Sequence, residues 1–349
     1  MQLLKKLTML GAAAALVVTA ASAQAAEHNW KMATSWGGGP LMEIGAKAFA
    51  DKVKFLTDGR VEIKIFPSGQ LSKGLEVRSA VAKGVAEAGH TWPGYDWGKD
   101  KTLVLFGGYA GSMDSERMLH WLYEGGGLKL WRDFNMETAG LVSFPCFIRT
   151  AEAFLHSRKP VKTLADLAGL KLRTAGAWLE ISKNLGAAPV TTPGGEVYTM
   201  LERGAIDATE WGTLYENKST GFHKVAKYVI IPGVHQPVAP FEMVINPAAF
   251  NKLSARDKEM VELAAKMVTF ETWTRIGQED AKALDFYKSQ GNEIIVLDAD
   301  VQRKAKKLAL EWAEKQAKDN PWFAKVLKSQ REFEKLWSQA TYYRNVVSD

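Results

Sequence analysis

The residues in this chain best placed to do chemistry are charged groups that close short apolar runs. Arg173 ends Gly169-Leu170-Lys171-Leu172, where a strand's inward positions are ordinarily aliphatic. A planar guanidinium at such a place either clamps a carboxylate through two parallel hydrogen bonds or sits in a structural salt bridge. Glu210 stands beside Trp211 at the end of Ile206 to Thr209. It reads as a metal ligand, as an acceptor for a substrate hydrogen bond, or as an exposed loop carboxylate. Trp211 reads as a stacking surface or as core packing. The usual catalytic spacings are missing: there is no GxSxG, HExxH, Walker GxxxxGK[ST] or GxGxxG. The six histidines show no i, i+4 pair, and Cys146, the single cysteine, has no disulfide partner within the chain. The triple-glycine stretches Gly37-Gly39 and Gly125-Gly127 lack the Lys-Ser/Thr that follows a phosphate loop and read as turns.

The elements that must carry these residues alternate strand-like and helical patterns, which predicts an α/β fold. Val61, Ile63 and Ile65 alternate with Glu62 and Lys64, as in a half-buried strand. Further strands are expected at Trp30–Thr34, Ala86–Trp92, Leu103–Phe106, Leu141–Ile148, Leu170–Thr174, Ile206–Trp211, Tyr228–Ile231 and Phe241–Asn246. From Ser254 to Gln290 no proline interrupts a helical pattern, with Ser254 and Asp257 placed as a capping box and Gly291 as a stop. At about 1.5 Å per residue such a helix reaches roughly 55 Å, a spine across two lobes unless it breaks near Gly277. An internal echo supports two lobes: Glu76-Val77, Lys83-Gly84 and Glu87-Ala88 recur at identical offsets as Glu196-Val197, Arg203-Gly204 and Asp207-Ala208. Unless this echo is chance, one helix-glycine-strand unit is used twice, and the strand ends at His90-Thr91-Trp92 and Glu210-Trp211 face one cleft.

With 349 residues, 46% hydrophobic and 24% charged, the chain is long enough for about two domains, each able to bury a core without staples. The 45 basic and 39 acidic residues are interspersed, so no nucleic-acid footprint stands out. Lys5 and Lys6, the apolar run Leu7 to Ala20 and the small residues Ala21 to Ala26 have the layout of a secretory signal cleaved after Ala25. The run is shorter than the roughly 20 residues that span a bilayer, so export to the periplasm is expected.

At these residues the chain resembles the DctP-type solute-binding proteins of tripartite ATP-independent periplasmic (TRAP) transporters. The resemblance is carried by Gly69-Gln70-Leu71 before the Glu76 helix, by Leu164-Ala165-Asp166-Leu167-Ala168-Gly169-Leu170-Lys171-Leu172-Arg173, and by Gly204-Ala205-Ile206-Asp207-Ala208-Thr209-Glu210-Trp211. It implies a two-lobed periplasmic solute-binding fold with hinge strands and a long spanning helix. It also implies that Arg173 holds the solute carboxylate. Thr209-Glu210-Trp211 is similar to the subgroup that binds 2-oxo or 2-hydroxy monocarboxylates, such as pyruvate or lactate, through Ca2+ or Na+. Counting 21 residues back from Arg173 and 25 forward from Trp211 places Glu152 and Gln236 at the remaining cation positions, with Gln and Glu exchanged relative to the subgroup's pattern. The implied cation ligands are therefore Glu152, Glu210, the Trp211 carbonyl and Gln236, with Arg173, Trp211, Glu152 and Tyr95 on the solute. Tyr95 reads from the sequence as a hydroxyl donor from the opposite lobe or as an ordinary packing tyrosine.

The expected divisions are a signal peptide at 1–25, lobe I at 26–148 plus about 236–265, and lobe II at 149–235 plus about 280–320. The spanning helix is expected at 254–290 and a C-terminal helix at 321–349, running to about Val346. Phe323, Val326, Leu327, Phe333, Leu336 and Trp337 give that last helix an apolar stripe, to be covered by its own lobe or by a second copy in a homodimer. The partners expected are a small carboxylate solute and the TRAP membrane subunits. The competing reading is a carboxylate receptor of another class, for dicarboxylates or sugar acids, or a periplasmic enzyme with Glu210 as general base and Arg173 as substrate clamp.

Overall fold

The computed structural model describes residues 26–340 and Tyr343. The expected signal segment and the expected helix end near Val346 lie outside them. No helix among the described residues is long and apolar enough to cross a membrane.

Among the described residues eleven strands form two sheets. In chain order they are β1 His28–Thr34, β2 Val61–Phe66, β3 Ala88–Thr91, β4 Val142–Arg149, β5 Leu155–Ser157, β6 Lys171–Arg173, β7 Ala188–Val190, β8 Ala208–Thr209, β9 Tyr228–Ile231, β10 Ala239–Ile245 and β11 Glu293–Val296. The first sheet runs β2-β1-β3-β10-β4 and the second β11-β9-β5-β8-β6-β7. Each begins with three parallel strands, β2-β1-β3 or β7-β6-β8, followed by one strand antiparallel to them, β10 or β5. The chain passes between the sheets at 150–154 and returns at 232–238. These two crossings lie side by side, the Glu152 N–H donating to the Gln236 carbonyl at 3.1 Å.

The echo in the sequence is an echo in the hydrogen bonding. Helix Val77–Ala82 ends at Gly84 (φ +74°) and helix Val197–Glu202 at Gly204 (φ +72°), left-handed positions that glycine takes without strain. The closing bonds match one for one. Lys83, Gly84 and Val85 donate to Ser79, Val81 and Ala80, while Arg203, Gly204 and Ala205 donate to Thr199, Leu201 and Met200. The carboxylate after each glycine then accepts from the neighbouring strand: Glu87 from the Lys31 N–H at 2.7 Å, Asp207 from the Lys171 N–H at 3.1 Å. This fixes β1 and β6 as equivalent strands, and β3 and β8 likewise.

The long helix is unbroken from Ala255 to Ser289, about 52 Å at 1.5 Å per residue. Its cap differs in one detail from a capping box: the Ser254 hydroxyl accepts from the Asp257 N–H at 3.0 Å and donates to the Asp257 carboxylate at 2.8 Å. Gly277 stays helical. The helix starts against β4 and Ala48–Leu56 and finishes against Leu214–Lys218 and β11, so it spans both sheets.

One expectation is corrected. Leu103–Phe106 is not a strand but part of the helix Leu103–Gly107. Each of its residues is buried, and an apolar run of four carries no periodicity that separates a strand from a buried helical turn. The helix that follows Pro40 opens with a π-helical turn, Leu41–Lys47, before Ala48–Leu56. The C-terminal helix, Pro321–Gln339, lays Phe323, Val326 and Leu327 into the chain's own core and leaves Leu336 exposed.

Candidate functional site

The six residues singled out from the sequence line one chamber of about 30 Å³ between the sheets: Tyr95, Glu152, Arg173, Glu210, Trp211 and Gln236. The first sheet supplies Tyr95 from the turn Pro93–Asp96, which follows β3. The second sheet supplies Arg173 at the carboxyl end of β6 and Glu210 and Trp211 just beyond β8, where ligands of open α/β sheets bind. The two crossings supply Glu152 and Gln236.

Arg173 is 2% exposed. Its Nε and Nη2 donate to the Thr192 carbonyl at 3.3 and 3.0 Å, and its Nη1 to the Glu210 carbonyl at 3.4 Å. Those three bonds use one proton on each nitrogen, and a guanidinium has five, so Nη1 and Nη2 each keep one for a carboxylate. The Trp211 ring lies 5.2 Å from the guanidinium carbon and fixes its plane. Glu210 Oε1 accepts from the Ala175 N–H at 2.9 Å and lies 3.6 Å from Arg173 Nη1. Gln236 Nε2 donates to the Gly107 and Val238 carbonyls, both at 2.8 Å, which orients the amide. Tyr95 is walled by Trp36 and Trp92, and burial raises its hydroxyl pKa, with the Arg173 charge opposing the shift.

Two residues that local sequence reasoning missed complete the chamber. Arg149, at the end of β4, donates from Nη1 to Glu216 at 2.8 Å and from Nη2 to both the Glu152 carboxylate and the Trp211 carbonyl. Burial lowers its pKa, but Glu152 and Glu216 raise it further, so it stays charged. A signal existed, since Arg149 closes the apolar run before it just as Arg173 closes its own. His235, from the return crossing, places Nε2 2.9 Å from Glu152 Oε2. One ligand atom each from Glu152, Glu210 and His235 lie within 4.8 Å of one another, all buried. No sequence spacing announces this cluster, because its members come from three separate segments.

The donor set fits a cation. Two arginines face three carboxylates, Glu152, Glu210 and Glu216, so leaving the imidazole aside the buried site carries one surplus negative charge. A divalent cation together with a monocarboxylate brings it to neutrality, which makes desolvation tolerable.

Residues 32–319 match the family described as bacterial extracellular solute-binding protein, family 7 (DctP). The chain is 30% identical over 332 residues to a monocarboxylate 2-oxoacid-binding periplasmic protein of Nostoc sp., covering 92% of this chain and 89% of the relative. Among solved structures it is similar to a TRAP transporter solute-binding protein of Bordetella bronchiseptica, a mixed-occupancy dimer with calcium and picolinate (27% identity, TM-score 0.85, 90% of this chain and 95% of that one). It is also similar to a TRAP periplasmic solute-binding protein of Pseudoalteromonas atlantica with sodium and pyruvate (28% identity, TM-score 0.84, 90% and 96%).

Proposed function

This chain belongs to the bacterial extracellular solute-binding protein family 7 (DctP), the solute receptors of TRAP transporters, and from that premise we propose that it captures a 2-oxo or 2-hydroxy monocarboxylate together with a cation. The observation that carries this reading is the chamber itself: a guanidinium with two uncommitted protons beside buried carboxylates that lack enough positive charge. Arg173 pairs with the solute carboxylate. Glu152, Glu210, the Trp211 carbonyl, Gln236 and, from the geometry, His235 are the groups that would hold the cation. When bound, the cation, Ca2+ or Na+ as in the similar proteins, supplies the positive charge that draws the carboxylate and the neighbouring oxo or hydroxy oxygen to the same point.

The chain's own residues do the rest. Arg149 holds the Glu152 carboxylate and the Trp211 carbonyl in one arrangement, and because it ends β4 of the first sheet while Trp211 and Glu216 follow β8 of the second, it also ties the two sheets together in the closed form. Lobes I and II, divided at the crossings 150–154 and 232–238, are proposed to move about those segments. Capture is without chemistry: the solute leaves unchanged to the membrane subunits. A turnover assay that converts bound solute would favour Glu210 as a general base instead.

Mass spectrometry of the ligand released from purified protein, with metal analysis of the same sample, tests the whole reading. A 2-oxo or 2-hydroxy acid with about one equivalent of metal is expected. Chelation or sodium-free buffer should weaken binding, and Glu210→Ala should mimic it. Unchanged affinity in metal-stripped protein removes the cation while leaving the receptor. A homodimer, the state of one similar structure, is likewise a proposal; a full-length monomer by light scattering counts against it.

A further inference from the structure

The chamber around Arg173 holds about 30 Å³. Since a single water needs roughly 10–15 Å³, that is room for a cation and the head of a small acid and nothing longer. Past the shared walls Trp36, Leu41, Tyr95 and Trp211 it gives onto a second cavity of about 510 Å³ between the lobes. We propose that this second cavity receives an uncharged, bulky apolar tail, so that the solute is a branched-aliphatic or aromatic 2-oxo acid and not pyruvate. The inference rests on the reading of Arg173 and its neighbours as the head-group site.

The walls carry the argument. Among the described residues no lysine, arginine or histidine lines the second cavity, and the one carboxylate there, Glu216, is 2% exposed, with Oε2 already taken by Arg149 and by the Thr213 N–H. A second carboxylate on the solute would find no cation there, and an unpaired charge taken out of water is costly. Aromatic rings of Trp36, Tyr95, Tyr198 and Trp211 face it instead. The polar side chains apart from Glu216 and the two tyrosines are four hydroxyls, with no Asn, Gln or Asp to read a polyhydroxy chain. The glycines serve the same end. A Cβ on Gly194 would stand 1.8 Å from the Trp211 ring, so glycine is what lets the indole lie against the backbone as a flat wall. Gly37-Gly38-Gly39, the loop set aside above as a simple turn, forms the facing wall from lobe I. Each methylene moved from water into such a cavity is worth about a fourfold gain in affinity.

The test is calorimetry on the mature protein with pyruvate, 4-methyl-2-oxopentanoate, phenylpyruvate and 2-oxoglutarate. One of the two apolar-tailed acids is expected to bind at least tenfold tighter than either pyruvate or 2-oxoglutarate. Tyr198→Ala, which alters the second cavity and leaves the chamber intact, should cut that advantage severalfold with pyruvate affinity within twofold of the parent. Tightest binding of pyruvate or 2-oxoglutarate overturns the proposal, as does an equal loss for short and long acids in Tyr198→Ala. If no 2-oxo acid binds the parent protein, the head-group reading falls and takes this inference with it.

Discussion

At the scale of single residues, Arg173 and two buried histidines make opposite uses of burial. Arg173 is buried among backbone carbonyls and the Trp211 face, with two of its protons uncommitted. Arg173→Ala is expected to cost on the order of 2–5 kcal/mol of solute binding, with circular dichroism unchanged. Calorimetry giving an affinity within threefold of the parent would take Arg173 out of the site. His90 and His156 are buried neutral: burial lowers their pKa to about 4 and about 3. His90 accepts from the Trp36 indole and lies 2.8 Å from the Cys146 carbonyl, which suits one fixed neutral tautomer. Between the unfolded value near 6.5 and these folded values, only the unfolded chain takes up the proton. Their contribution to stability is therefore complete above about pH 6.5 and lost as pH falls toward 4, at up to about 1.4 kcal/mol per unit per histidine. The melting temperature should drop between pH 7 and pH 5, and His156→Phe should flatten that drop; a slope unaltered in the variant removes His156 as its source.

Among the elements, the long helix acts as more than a spacer. At Phe147, φ is +145° and the pairing with β10 slips between Pro240 and Glu242, so β4 bulges just before it delivers Arg149. The N–H groups of Phe147 and Ile148 then turn to the helix, donating to the hydroxyls of Thr269 and Thr272 at 3.3 and 3.1 Å. Eight residues further along, Asp280 accepts from the Thr150 hydroxyl at 3.0 Å and the Tyr215 N–H at 2.8 Å, holding the crossing and the helix Leu214–Lys218 to the same helix. Thr272→Val keeps the shape and leaves the Ile148 N–H unpaired, which should cost about 1–3 kcal/mol in denaturant unfolding. Because the bulge aims Arg149, solute affinity should fall as well. Full stability in that variant would show the helix hydroxyl to be dispensable.

For the molecule as a whole, the C-terminal helix completes the largest core cluster among the described residues. Phe323 and Val326 are fully buried, Gln330 donates to the Leu105 carbonyl at 2.8 Å, and Asn320 reaches Asp100 at 2.8 Å. The preceding helix, Ala299–Asp319, sends the Trp312 indole to Glu180, which Lys101 also meets. Phe323→Ala should lower stability by about 3–5 kcal/mol. Truncation after Asn320 should remove more than a typical domain's margin of roughly 5–15 kcal/mol can spare. A folded truncation with the parent's melting temperature would show that the core does not need this helix.

Much of the architecture was legible locally, because strands, caps and stops are set by neighbours along the chain. The Ser254 cap, the glycine stops at 84 and 204 and the equivalence of β3 and β8 follow from spacing and backbone freedom alone. Arg173 and Glu210 stood out for the same reason, as charges ending apolar strands. Leu103–Gly107 did not, since burial on every side erases the periodicity that distinguishes helix from strand. Arg149 and His235 belong to the fold in a stronger sense. Nothing in the spacing of residues 149, 152, 210, 216 and 235 joins them; the order of two sheets and the side-by-side crossings do, and only once that order exists do the charges find each other. The size of the second cavity is of the same kind, because it is the distance between two lobes and no single segment encodes it.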